Sequence, residues 1–160
     1  MKRISIFAMI FSLFLFSCKI PGTTKGAAFE VRIVTAPEIV DTELGDLQDQ
    51  RVSVFVENFT DTTDFNEEFG TAYLSYYEVK IVLEGREISF KKVPANMILK
   101  PGATMEISVI LVSKEEKLNI LKEYGNVNSL IGYSIVIFHF KDAFENVKEL
   151  SYKPVLRMYL

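Results

Sequence analysis

Apolar and polar residues alternate with a period of two over most of the chain, the pattern of half-buried strands. Residues 28–34 alternate well enough for a first strand. Val52, Val54 and Val56 alternate with Ser53, Phe55 and Glu57 in a second. Residues 73–83 form a long third strand, with Tyr77, Val79, Ile81 and Leu83 on one face and Glu78 and Lys80 on the other. Glu84-Gly85-Arg86 reads as a hairpin turn into residues 87–92, where Ile88 and Phe90 alternate. Leu99-Lys100-Pro101-Gly102 is a turn by Pro-Gly chemistry. It leads into a fifth strand, in which Met105, Ile107, Val109 and Leu111 oppose Glu106, Ser108 and Ile110. The period then changes. Ser113 followed by Glu116 is a capping box, Leu118, Leu121 and Tyr124 fall at helical spacing, and Gly125 stands just past the end. The spacing predicts a helix over 114–124. Residues 133–141 are apolar on both faces, as in a central strand, and 147–156 form the last strand through Leu150, Tyr152 and Leu156. Pro154 has no amide hydrogen to give a ladder and marks an edge or a bulge.

Seven strands, one helix between the fifth and sixth, and mostly hairpin links predict an all-β antiparallel sandwich. A small β-barrel is the alternative with the same strand pattern. Leu99-x-Pro101-Gly102 before a strand resembles the turn of fibronectin type III domains and related bacterial modules. Ile131-Gly132-Tyr133-Ser134-Ile135 resembles a degenerate tyrosine corner. Together these resemblances imply an Ig-like sandwich over residues 27–160. With one Cys and no Trp, the chain lacks the Cys pair and Trp of antibody domains.

The N-terminus departs from this pattern. Met1-Lys2-Arg3 precedes thirteen residues, Ile4 to Phe16, that form an apolar stretch, and Ser17-Cys18 follow. A basic start, a short apolar run and a small residue make a secretory signal peptide over residues 1–17. The run is too short for a spanning helix, which takes about 20 residues. Leu15-Phe16-Ser17-Cys18 resembles the bacterial lipobox, with Phe16 off its commonest form. That resemblance implies S-lipidation of Cys18, two or three acyl chains, and a membrane-anchored lipoprotein of the cell envelope, on its periplasmic or cell-surface side. More than one chain is what stable anchoring requires. Lys19, where inner-membrane lipoproteins often carry Asp, favours the outer membrane. Residues 18–26 are then the lipidated Cys and a tether (KIPGTTKG), and 27–160 the domain.

Composition narrows the function classes. The 160 residues are 49% hydrophobic, which excludes a disordered chain. A single Cys excludes a disulfide scaffold and a thiolate zinc site. The net charge of −3 argues against a nucleic-acid partner. Losing Lys2 and Arg3 with the leader leaves 16 basic against 21 acidic residues. No glycine-rich phosphate cradle occurs, so no nucleotide cofactor is expected.

Catalytic signals are equally sparse. His139 is the lone His, on a strand beside Phe138 and Phe140, and no nucleophile stands at a motif spacing from it. The bland reading is a partly buried strand His, so no catalytic residue is assigned and an enzyme is only a third reading. Charge offers more. Residues 36–69 hold ten acids against one base, Arg51, in two loops around the second strand. In Phe59–Gly70 (FTDTTDFNEEFG), Asp61, Asp64, Glu67 and Glu68 are the oxygen ligands Ca²⁺ takes, though not at EF-hand spacing. A Ca²⁺-stabilised, adhesion-type surface domain is therefore the second reading, against a solvated loop as the bland one. Tyr73 and Tyr76 head a Tyr-rich strand, and Tyr suits recognition surfaces. The bland alternative is cross-strand packing. The helix 114–124 balances Lys114, Lys117 and Lys122 with Glu115, Glu116 and Glu123, and reads as a cap over an open end. The first reading is a non-catalytic binding or structural module of the cell envelope, whose partner is an envelope protein or glycan.

Overall fold

Period-two alternation builds two sheets in the computed structural model, which describes residues 29–61 and 68–160. The strands are β1 (Val31–Thr35), β2 (Ile39–Glu43), β3 (Gln50–Asn58), β4 (Ala72–Leu83), β5 (Arg86–Leu99), β6 (Thr104–Val112), β7 (Ser129–Lys141), β8 (Val147–Tyr152) and β9 (Val155–Tyr159). One helix, α1 (Lys114–Tyr124), lies between β6 and β7. The small sheet has the order β1-β3-β6 and the large one β2-β9-β7-β4-β5, with β8 also on β7. The sheets pack face to face and do not close into a barrel. The fold is an all-β sandwich with one short helix.

The core is the set of inward residues that alternation marks. Val52, Val54, Val56, Ile107, Val109 and Leu111 from the small sheet face Tyr77, Val79, Ile81, Leu83, Val136, Phe138 and Phe140 from the large one, all buried. Each such side chain withdraws enough apolar surface to contribute about 1.5–3 kcal/mol.

Two strands differ from expectation. β2 falls in a stretch read from the sequence as acidic loop. It pairs parallel to β9, with Asp41 opposite Arg157, and it is the one parallel pair among the described strands. The Arg157 Nε lies 2.9 Å from the Asp41 Oδ1, so part of the acidic charge is matched across a ladder. The last predicted strand is two. β8 pairs with β7 at Val136–Lys141 and β9 pairs with it at Ser129–Tyr133. Pro154 stands at the break, where its carbonyl still accepts from the Ser134 amide (3.0 Å). A proline can accept but not donate, which is why the ladder bends there without losing that bond.

The α1 helix closes the end where β3 begins and β6 finishes. The Ser113 hydroxyl and the Glu116 carboxylate form the reciprocal capping box. The Lys114 amide donates to Asp49 (3.0 Å). Lys117 is not the surface charge that the sequence implied: it is 1% exposed, and its ammonium donates to the Asp46 carbonyl at 2.8 Å.

Glu116 joins this cap to the large sheet. It accepts from the Ser113 amide (2.7 Å), the Lys91 ammonium and the Ser89 hydroxyl. Lys91 also donates to the Leu111 carbonyl at 3.0 Å, at the free edge of β6. Burial pushes the Glu116 carboxyl up, but Lys91, the Ser113 amide and Ser89 outweigh it and hold the group below its ordinary value. A carboxyl depressed by folding stabilises fully above its unfolded-chain pKa, and that stability is lost as pH falls through the folded value. Glu116→Gln is therefore expected to cost about 2 kcal/mol at pH 7, the range of hydrogen bonds to a charged group. The gap to wild type should close as pH drops below about 4. Thermal melts at pH 7 and pH 3 check this, and a gap that does not depend on pH would remove the ion pair from the account.

Candidate functional site

The outer face of the large sheet collects the polar and aromatic residues that the core rejects. Strict alternation would put Tyr73 on the same side as Tyr77, which is in the core. A bulge at Ser75 prevents this. The β4 register slips between Leu74 and Tyr76 against both neighbours, so Tyr73 pairs with Lys141 and Tyr76 with His139. Tyr73 and Tyr76 thereby share one face. One extra residue in a strand re-aims every side chain beyond it.

A stacked row crosses this face from β5 to β8. The Lys92 ammonium sits 3.4 Å above the Tyr76 ring, on whose plane His139 also stacks (centroids 4.3 Å, 23°). His139 has a carboxylate at each nitrogen: Glu78 at 3.6 Å from Nε2 and Glu149 at 3.3 Å from Nδ1. Nε2 is buried and has no hydrogen-bond partner. The two carboxylates stand at opposite nitrogens of the ring, whereas a metal would need them converging on one side. Among the described residues, no group of three or more His, Cys, Asp or Glu could hold a metal ion. The arrangement offers alternating charge on rigid aromatic planes, which suits polar recognition.

Of the acidic-loop candidates, Asp61 and Glu68 lie at one end of the sandwich. Asp64 and Glu67 fall outside the described residues; Asp61 and Glu68 flank that gap, and each has an interaction partner. Phe59 and Thr60 stand beside the first described residues: the Phe59 amide donates to the Glu30 carbonyl (2.9 Å) and the Glu30 amide to the Thr60 hydroxyl (2.7 Å). Cys18 and the leader also lie outside the described residues.

Sequence reading missed Asn58, the centre of this end. It is fully buried, and its amide nitrogen donates to the carbonyls of Gly70 (2.8 Å) and Leu99 (3.0 Å). Its amide oxygen accepts from the Thr60 amide at 3.1 Å. The signal was present, because Val52, Val54, Val56 and Asn58 continue one inward period. The adjoining turn is as Pro101-Gly102 predicts, with Gly102 at φ 72° and its amide donating to the Asn58 carbonyl. The tyrosine corner is not at Tyr133, whose ring lies outside beneath Lys153 at 3.9 Å. Tyr152 makes the comparable bond, donating to the Pro37 carbonyl, and burial pushes its phenol up to about 12.

No protein-family model matches the chain. No curated protein matches it either. Among solved structures, it is similar to a protein from Archaeoglobus fulgidus at 11% identity and TM-score 0.41, over 82% of this chain and 97% of that one. A protein described as late embryogenesis abundant shows 11% identity and TM-score 0.46, over 98% and 87%. A PapD-like domain of human CEP192 shows 12% identity and TM-score 0.34, over 88% and 90%. Likeness of this size assigns no activity, ligand or partner to this chain.

Proposed function

We propose that this chain is a lipid-anchored, extracytoplasmic envelope protein whose Ig-like sandwich serves as a non-catalytic binding module. The observation that carries the reading is the leader: Lys2-Arg3, an apolar run too short to span a membrane, then Ser17 and the only cysteine, Cys18. In this reading Cys18 carries the acyl chains, and Lys19 directs the protein to the outer membrane where the cell has one. The binding face is the outer side of the large sheet. There Tyr73 and Tyr76 stand with Lys92 and Glu149, offering ring area, charge and hydrogen bonds to an envelope protein or a glycan. An anchored module works at high local concentration, so modest affinity per contact is enough.

One experiment tests both parts. A photo-crosslinking residue at position 76 is expected to give a partner adduct in intact cells, and the same residue at Phe55, on the opposite sheet, is not. Cys18→Ser should move the protein from the detergent phase to the aqueous phase, or leave it unprocessed. Detergent partitioning of a processed Cys18→Ser protein as complete as that of wild type would refute the anchor, and equal adducts from both faces would refute the binding face.

A further inference from the structure

We propose that the free edge of β6 takes an added antiparallel strand: an extended peptide of another protein, with apolar side chains turned into the sandwich and Lys or Arg turned out beside Glu106. β6 ends the order β1-β3-β6. Alternation decides which of its residues face the open side. The Asn58 amide donates to the Ala103 carbonyl, so odd-numbered residues bond to β3 and even-numbered ones turn N–H and C=O away from it. The Ile110 amide shows this directly, since it points off the edge at the Tyr77 hydroxyl (3.4 Å). Tyr77 there, and Lys91 at the Leu111 carbonyl (3.0 Å), occupy the part of the edge next to α1. Glu106 and Ser108 are exposed and have no strand beside them among the described strands.

The floor beneath that gap is apolar. Tyr77 lies on β4 and reaches the β6 edge, and its partner on β5 is Val93, so β5 stands one strand spacing, about 4.8 Å, beyond the small sheet. α1 covers the start of β5 through Glu116, which holds Lys91 and Ser89. Further along, Val93, Ala95 and Met97 pack against the core and are only half-buried. A strand beside β6 would lie over these three, its backbone on Glu106 and Ser108 and its alternate side chains on the floor.

The other edges are defended. β5 carries Pro94 and turns to φ 51° at Asn96, and β1 and β2 have five residues each. Proline, kinks and shortness are how edges avoid pairing. β6 has no Pro, Lys or Arg, and its register on β3 is unbroken from Thr104 to Ile110. A second copy does not fit, because a two-fold through the paired edges would bring β4 and β5 of both copies under the same two strands. Charge selects a basic peptide. Glu106 accepts from the Ser53 hydroxyl, and no cation pairs with it among the described residues. An outward Lys or Arg directly opposite would pair with it. Glu106 also separates the added strand from Phe55, so position 55 remains a control for the large-sheet face.

The probe is a fluorescent heptapeptide of alternating Lys and Val, titrated into the full chain in non-ionic detergent and read by anisotropy. Saturable binding is expected. In the antiparallel pairing the Lys residues stand opposite Glu106 and Ser108, so their amides donate to β6. N-methylation of the Lys amides should weaken binding at least about tenfold, and N-methylation of the Val amides should not. Ser108→Pro removes an amide that β3 does not use and should weaken binding by a similar factor. If that variant does not fold, the two methylated peptides still decide. Replacing every Lys by Glu should also weaken binding about tenfold. No saturable binding at millimolar peptide overturns the proposal. Unchanged affinity on Lys-amide methylation, or in a folded Ser108→Pro variant, overturns it too. Equal affinity of the Glu peptide overturns the basic partner.

Discussion

Replacing Asn58 with leucine is expected to cost the domain about 4 kcal/mol, although the side chains are close in size. The loss is not packing. Asn58 is fully buried and donates to the carbonyls of Gly70 and Leu99 while accepting from the Thr60 amide. Leucine withdraws the partner of two buried carbonyls and of the half-buried Thr60 amide, and each group left unsatisfied costs about 1–3 kcal/mol. The Thr60 hydroxyl, which donates to Asn58 and accepts from the Glu30 amide, would lose its anchor too. A melting temperature lower by about 10–15 °C is the expected readout. Asn58→Asp separates chemistry from size. It keeps the volume but turns a carboxylate oxygen toward two carbonyls, and should be at least as damaging. A leucine variant that melts within two or so degrees of wild type would show that the three loop contacts do not depend on this side chain.

The second large effect is expected at Gly132. A Cβ there would lie 2.3 Å from the Val82 carbonyl oxygen and 2.4 Å from the Leu83 Cδ2. Gly132 pairs with Leu83 on one side and Leu156 on the other, so β7 cannot move aside without breaking a ladder. The glycine is required by close approach and not by its backbone angles. Gly132→Ala should cost about 3 kcal/mol, at the upper end of what overpacking costs. Gly45→Ala is the control, because a Cβ at Gly45 meets nothing within 4 Å. It should leave the melt nearly unchanged. Equal effects of the two substitutions would exclude the steric account.

These two residues also show where local reading reaches its limit. The motif Ile131-Gly132-Tyr133 stood out in the sequence for its tyrosine, yet the glycine is the constrained position. Its constraint comes from Val82 and Leu83, fifty residues away in the chain, and no local pattern encodes that. Asn58 was legible in part. Its place in the inward period of Val52, Val54 and Val56 was visible, but its partners lie in loops that only the assembled end brings together. Among the candidate site residues, the outward face of Tyr76 followed from alternation. The company of Tyr73 on that face did not.

What the sequence determines by itself is local. Alternation assigns each strand its inward face, the Ser113–Glu116 box starts the helix and Pro101-Gly102 turns the chain, because each depends on residues within a few positions of one another. Tertiary structure decides the rest. It puts the Ser75 bulge in β4, and so brings Tyr73 and Tyr76 together. It pairs β2 with β9 in parallel, turning part of an acidic loop into a charge-matched edge. It buries Lys117. The physical reason is common to all of these: pairing partner, register slip and burial of a long side chain depend on surfaces supplied by distant segments, and a periodicity along one strand carries no information about which surface it will meet.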